Sequence, residues 1–366
     1  MKNIKVFLQY PWRFPDSPYY KYLVNYPPKK VKYFNAEKQK GVITKKSRFL
    51  FSNFAKSAIR NSFKILNFPL LNAHFTRSKE NFDLIHCAHC LSLNNKPWVA
   101  DMELSWQLWI SGKSSSLGKK LARKILMNDN CKKIMPWTYK TQTELIELFQ
   151  EKKIKDKLEV VYPAVPEIKF KKKNKNEIGL LFSARYFYDK GGLYVLEAFH
   201  ELLKKYNNVR CFFVSLTPEQ YTKKYQNEKI KFMSLMPQKE LFDKIYPFCD
   251  VYVYPGFTDS FGFGFLESMV FGLPTVTVDG FARSEVVDHG KTGFIIKNPG
   301  NLSLFKMNEN ERKIIREIVE KTSLLIEDNH LRRKMSKNCI KMIKDGKFSI
   351  NQRNKQFGKI YEEALK

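Results

Sequence analysis

Apolar and polar positions change period along this chain. Residues 5–10 form a short apolar run that stops at Pro11 and predicts a first strand. Residues 82–87 and 98–101 read as further buried strands, and helical spacing marks 116–127 and 141–150. Residues 158–162 predict a strand ending at Pro163. The polar, Lys-rich stretch 167–177, introduced by Pro163 and Pro166, reads as a linker.

Beyond the linker the alternation is regular. Strands are predicted at 178–183, 209–215, 230–233, 251–254, 275–278 and 292–296. Helices are predicted at 191–206, 238–248 and 263–271, then at 309–327, 331–344 and 351–365. Leu193, Leu196, Phe199 and Leu203 line one face of the first of these. Strand and helix in strict turn imply a parallel sheet with helices on both faces, so the fold class is α/β.

At 366 residues and 43% hydrophobic, the chain has room for two cored domains. Six scattered cysteines, Cys87, Cys90, Cys131, Cys211, Cys249 and Cys339, lie mostly in apolar stretches and suggest buried free thiols in a reducing compartment. The apolar run after Lys5 is too short for a secretory signal, and no stretch approaches the ~20 residues that span a bilayer. The expected location is therefore cytoplasmic, with any membrane contact peripheral.

The formal net charge of +29 favours anionic partners: nucleic acid, lipid surfaces or phosphorylated small molecules. Between Lys29 and Arg60 stand ten Lys or Arg and one acid, Glu37. Further basic stretches run over 113–133 and 169–175. Within 48–66, six apolar residues from Phe49 to Phe63 interleave with Lys56, Arg60 and Lys64. Such a helix either lies on a membrane or buries its apolar face against its own sheet.

In a doubly wound sheet, ligands sit outside the carboxyl ends of the strands. After 178–183 come Arg185 and Lys190, then Gly191 and Gly192 opening a helix. Arg offers a bidentate fork for phosphate, Lys a point charge, and a helix N-terminus free N–H groups. The plain alternative is two solvated loop cations beside turn glycines. After 251–254 come Asp259, Phe261, Gly262, Phe263, Gly264, Phe265 and Glu267. Carboxylates accept sugar hydroxyls, and the glycines allow close backbone approach. Here the plain alternative is an Asp cap and a surface Glu.

The segment 259–274 resembles the donor-site signature of retaining family-4 glycosyltransferases of the GT-B fold. The loop 183–191 is similar to that family's Arg…Lys-Gly loop. Residues 280–294, with Glu285-Val286-Val287 and Gly290-Lys291-Thr292-Gly293-Phe294, are similar to the segment that follows the signature. The resemblance covers about 178–366. It implies two Rossmann-like domains facing across a cleft: an acceptor-binding domain at 1–165, a donor-binding domain at 166–346, and a C-terminal helix, 347–366, crossing back to the first. Phe348 and Tyr361 stand in that last segment.

The resemblance also implies roles. Arg185 and Lys190 would bind the donor diphosphate, Glu267 the ribose, and Asp259 the sugar hydroxyls, beside the backbone of 262–265. The donor would be a nucleotide-diphosphate sugar, with no cofactor and no metal; the chain has no Asp-x-Asp pair. The acceptor would be a lipid-linked or cell-surface glycan, and peripheral contact with an anionic membrane surface would follow.

Some positions depart from the family pattern. Asp259 stands where Glu is usual, and Gln9-Tyr10-Pro11-Trp12 replaces a Gly-rich loop. The expected catalytic His is either His86 or His89, with His89 favoured because His86 sits nearer the strand. Asp101 and Glu103 are further acceptor-side candidates. Cys87 and Cys90 with the two histidines also have a spacing open to a metal site. Two other functions compete: a polyanion-binding protein without sequence specificity, argued from charge alone, and a related GT-B sugar-nucleotide epimerase or phosphorylase.

Overall fold

The computed structural model describes residues 3–9, 18–36, 70–110, 115–173 and 176–366. The amphipathic stretch 48–66 and Tyr10-Pro11-Trp12 lie outside the described residues. The chain divides into two compact units, one of Met1–Ala164 with Ile350–Lys366 and one of Val165–Ser349.

Unit 1 holds a five-stranded parallel sheet in the order β2-β1-β4-β6-β7. Its strands are β1 (Ile4–Gln9), β2 (Val31–Phe34), β4 (Leu84–Ala88), β6 (Trp98–Met102) and β7 (Cys131–Pro136). A small parallel pair, β3 (Ala73–His74) with β5 (Leu91–Ser92), lies beside it. Every residue of β4 and β6 is buried, and both read as apolar runs interrupted only by His86 and Asp101. The helices are α1 (Pro18–Asn25), α2 (Ser116–Met127) and α3 (Tyr139–Phe149). Ser115 caps α2 by accepting from the Gly118 N–H, and Thr138 caps α3 by accepting from the Thr141 N–H. Each helix then buries every fourth residue: Gly118, Ala122 and Leu126 in α2, and Thr141, Leu145 and Phe149 in α3.

The strand expected at 158–162 does not form. The segment runs beside β7 through an isolated bridge at Leu158 and Ile134, and the Val161 N–H donates to Pro136 O, without a continuous ladder. Pro136 and Pro163 lack the N–H groups that a continued ladder would need.

Unit 2 holds a six-stranded parallel sheet in the order β10-β9-β8-β11-β12-β13. These are β8 (Ile178–Ala184), β9 (Val209–Ser215), β10 (Ile230–Met233), β11 (Val251–Val253), β12 (Thr275–Val278) and β13 (Gly293–Ile296). The helices are α4 (Gly192–Lys205), α5 (Glu219–Lys224), α6 (Gln238–Lys244), α7 (Phe263–Val270), α8 (Glu309–Glu327) and α9 (Asn329–Lys344). The single helix expected over 238–248 breaks, and a separate 3-10 turn covers Tyr246–Phe248. Pro247 cannot continue the helical ladder and instead takes the second position of the new turn.

The last helix, α10 (Ile350–Ala364), belongs to unit 1. It buries Arg353, Phe357, Ile360, Tyr361 and Ala364, one stripe at helical spacing. Phe348, expected on the same element, precedes the helix and lies in unit 2, 6.2 Å from Phe261 between ring centroids. Among the described residues, no helix is long and apolar enough to cross a membrane.

Candidate functional site

Counted in chain order, the strands of unit 2 run 3-2-1-4-5-6 across the sheet, so the order reverses between β8 and β11. Loops leaving the carboxyl ends of those two strands flank a natural ligand crevice. The first loop winds tightly: the Lys190 N–H donates to Tyr186 O, Gly191 to Tyr188 O and Gly192 to Phe187 O. Gly191 has φ 81°, and a Cβ there would stand 2.7 Å from Pro255 of the second loop. Only glycine meets both demands. The Gly256 N–H then donates to Lys190 O at 3.1 Å, tying the two loops together.

This brings Lys190 and Asp259 into direct contact. The Lys190 ammonium lies 2.5 Å from Asp259 Oδ1 and 3.1 Å from Thr258 Oγ1. The Tyr254 hydroxyl donates to Asp259 Oδ2 at 2.5 Å. Burial, then the Asp259 charge, push the Tyr254 hydroxyl well above its ordinary pKa, so it stays a donor. Lys190 and Asp259 are 14% and 15% exposed, open enough for a ligand to compete for them. Arg185 is half-buried on the same loop.

Gly262, at φ 81°, caps α7, and a Cβ there would stand 2.7 Å from the Phe265 ring. Glu267 lies one turn into α7, and its Oε1 accepts from Gln238 Nε2 at 2.5 Å. Gly264 backs onto the Tyr252 hydroxyl, which leaves no room for a Cβ. Phe261 and Phe265 are 1% and 0% exposed, so neither presents its ring to a ligand. Phe263 is half-buried, its ring 5.6 Å from that of Phe261.

Two contributors went unseen in the sequence. Tyr254 shares a face with Tyr252, and the two rings stack 5.1 Å apart; the alternation Val251-Tyr252-Val253-Tyr254 carried that signal. Arg283 is 2% exposed and carries no local sign of burial. It donates to Gly256 O at 2.7 Å and Val278 O at 3.2 Å, and lies 4.3 Å from the Phe265 ring centre. It thereby pins the loop that carries Asp259.

The unit 1 sheet, counted the same way over its five strands, runs 2-1-3-4-5 and reverses between β1 and β4. Gln9 ends β1, is buried, and donates to Leu91 O at 3.0 Å. His89 follows β4 in the left-handed region, at φ 54°. Non-glycine residues held there often mark functional positions. His86, by contrast, lies inside β4 at 0% exposure. Its Nε2 pairs with Asp101 Oδ2 at 2.9 Å, and its Nδ1 with the Tyr361 hydroxyl at 2.6 Å. His89 keeps 18% of its side chain exposed, and its Nδ1 lies 3.0 Å from Asp101 Oδ1.

Asp101 cannot touch an acceptor as expected, because it is fully buried and given over to these partners. Burial works to raise its pKa, but His89 and His86 outweigh that and hold the carboxyl well below its usual range. Burial likewise works to lower the His89 pKa, and the Asp101 charge reverses it, so the net shift is upward. Glu103, half-buried just beyond β6, adds to that upward pull.

The Cys87/Cys90 metal-site reading does not survive. Both thiols are 0% exposed, burial pushes the Cys87 thiol well up, and both histidines turn to Asp101. All six cysteines are free and buried. A cavity of about 340 Å³ in unit 2, lined by Lys172, Lys173, Arg332 and Arg333, lies away from the Asp259 loops. Its Lys172 is already paired with Asp250 at 2.8 Å.

Two parallel α/β units of this kind, with a basic and acidic pair on the loops at the second unit's reversal, are the architecture of GT-B glycosyltransferases. Residues 165–342, nearly the whole of the second unit, match the family model described as Glycosyl transferases group 1, and that domain makes the chain a glycosyltransferase. No curated protein matches the chain.

Among solved structures, a glycosyltransferase from Rickettsia africae ESF-5 is 15% identical, with a TM-score of 0.66 over 100% of this chain and 99% of that one. The Anabaena Alr3699/HepE structure in complex with UDP and glucose is 15% identical, with a TM-score of 0.59 over 98% and 99%. The GtfA/B complex is 12% identical, with a TM-score of 0.59 over 85% of this chain; the match spans 60% of that chain's length. At such identities the likeness is one of fold.

Proposed function

We propose that this glycosyltransferase moves a sugar from a nucleotide-diphosphate sugar to a lipid-linked or cell-surface glycan acceptor, with retention and without a metal ion. The observation that carries the reading is the Lys190–Asp259–Tyr254 cluster at the β8/β11 reversal. The donor diphosphate takes Arg185 and Lys190, whose positive charge also stabilises the leaving nucleotide. Drawing Lys190 away from Asp259 frees that carboxylate for the sugar hydroxyls, while Tyr254 and the Arg283-pinned loop hold it in place. Glu267, positioned by Gln238, accepts the ribose hydroxyls. His89 serves the acceptor side from unit 1. UDP is the first nucleotide to try, because the Anabaena relative holds it. The +29 charge supports a cytoplasmic protein in peripheral contact with an anionic membrane face.

The test is thermal stability against a panel of nucleoside diphosphates and their sugars, with and without a chelator. Ligand at 100 times its dissociation constant adds about 2.7 kcal/mol. The expected result is a rise with one nucleotide series, indifferent to chelator and absent in Glu267→Ala and Lys190→Ala. Wild-type affinity in either variant sinks the donor-site assignment.

A further inference from the structure

Four polar contacts converge on the one buried carboxylate of Asp101, all within unit 1. Oδ1 receives the Tyr20 hydroxyl at 3.1 Å and the His89 backbone N–H at 3.3 Å, and lies 3.0 Å from His89 Nδ1. Oδ2 receives His86 Nε2 at 2.9 Å. The chain of contacts continues from His86 Nδ1 to the Tyr361 hydroxyl at 2.6 Å, and from there to the Tyr33 hydroxyl at 3.0 Å.

The chemistry gives this relay one direction. An ionised carboxylate only accepts, so the proton on His86 sits at Nε2. A neutral His86 then presents Nδ1 as an acceptor, to which Tyr361 donates. Tyr361 then accepts from Tyr33. Burial pushes the Tyr361 hydroxyl well up, which keeps it a donor. Nothing in the relay is left over to bind a ligand. Its outer member is His89, whose ring edge opposite Nδ1 is the one turned away from Asp101.

We propose that Asp101 is a positioning residue that fixes the ring and the left-handed backbone of His89, and that α10 fixes Asp101 in turn through Tyr361 and His86. The proposal rests on the reading of His89 as an acceptor-side group. With Nδ1 turned towards Asp101, Nε2 is the nitrogen that meets a sugar hydroxyl. The groups facing His89 are Asp101 and Glu103 from β6 and its following loop, Tyr19 and Tyr20 from α1, and the Trp137 ring, 4.9 Å away. Among these, Asp101 is the carboxylate in direct contact with the ring.

The experiment follows the His89 ring proton by NMR against pH in the full chain, alongside UDP release from UDP-glucose. The variants are Asp101→Asn, Tyr361→Phe and His89→Gln, and His89→Gln also assigns the resonance. In Asp101→Asn the titration midpoint should fall, because burial then acts without the opposing charge, and turnover should drop about a hundredfold. Tyr361→Phe should move both in the same direction by less. It removes one oxygen and keeps the ring, so it decides the matter should Asp101→Asn fail to fold. An unchanged His89 midpoint in a folded Asp101→Asn or Tyr361→Phe protein overturns the proposal. If His89→Gln alone loses turnover, the acceptor-side reading still stands. Wild-type turnover in His89→Gln overturns both, and UDP binding then shows whether the donor site in unit 2 survives.

Discussion

The two units share an architecture and differ in where they keep their chemistry. Unit 2 carries it on loops: Arg185, Lys190 and Asp259 all follow strand ends and remain partly exposed. Unit 1 carries it in the sheet, where Asp101 and His86 are strand residues at 0% exposure and only His89 reaches outward. A ligand can reorganise the first arrangement by competing for an exposed ion pair. It cannot reorganise the second in the same way, because Asp101 and His86 at its centre are fully buried. Unit 2 is therefore built to respond to its ligand, and unit 1 to present one fixed ring.

That contrast can be broken most sharply at Arg283. It is the buried part of the otherwise exposed donor site, and Arg283→Met strands two carbonyls, Gly256 O and Val278 O. A loss of about 2–3 kcal/mol is expected, measured by denaturant unfolding, together with weaker nucleotide binding. A variant that binds normally would mean the Asp259 loop holds its shape unaided.

Gly262→Ala should cost less, about 1–3 kcal/mol, through the left-handed backbone and the approach to Phe265. Circular dichroism melts check it, and unchanged stability would show that the loop yields.

The smallest effect is a pH slope from unit 1. The His89 pKa is raised in the folded protein, so its contribution is fully present below the ordinary value of 6.5 and fades as pH rises through the raised one. The depressed Asp101 works the other way, its contribution fading only in acid as pH falls through its lowered pKa. Stability should therefore decline on the alkaline side of 6.5, by at most about 1.4 kcal/mol per pH unit. His89→Gln should flatten that decline, and an equal slope in the variant would remove His89 as its source.

Much of unit 2 was legible beforehand. Strands 209–215, 230–233 and 275–278 and helix 309–327 form over the residues their patterning predicts. They are bounded by clear stops and fall in a regular strand–helix alternation, which lets even the short edge strand 230–233, with Lys231 inside it, be placed. Unit 1 was harder to read. The strand Val31–Phe34 carries Lys32 and is only half-buried, and Cys131–Pro136 holds Lys132 and Lys133 in the middle of its run. Edge strands of this kind lack the apolar signal that central ones show.

By itself, the sequence determined the α/β class, the loops after β8 and β11, and the residues with the right chemistry on them. Those are local facts, set by period, turn glycines and side-chain type. Tertiary structure alone decided that Lys190 and Asp259, 69 positions apart, form one ion pair, and that Arg283 is buried beneath them. It alone put Tyr361 against His86 across 275 positions. Contacts at such separations come from strand order and helix packing, which no local pattern encodes.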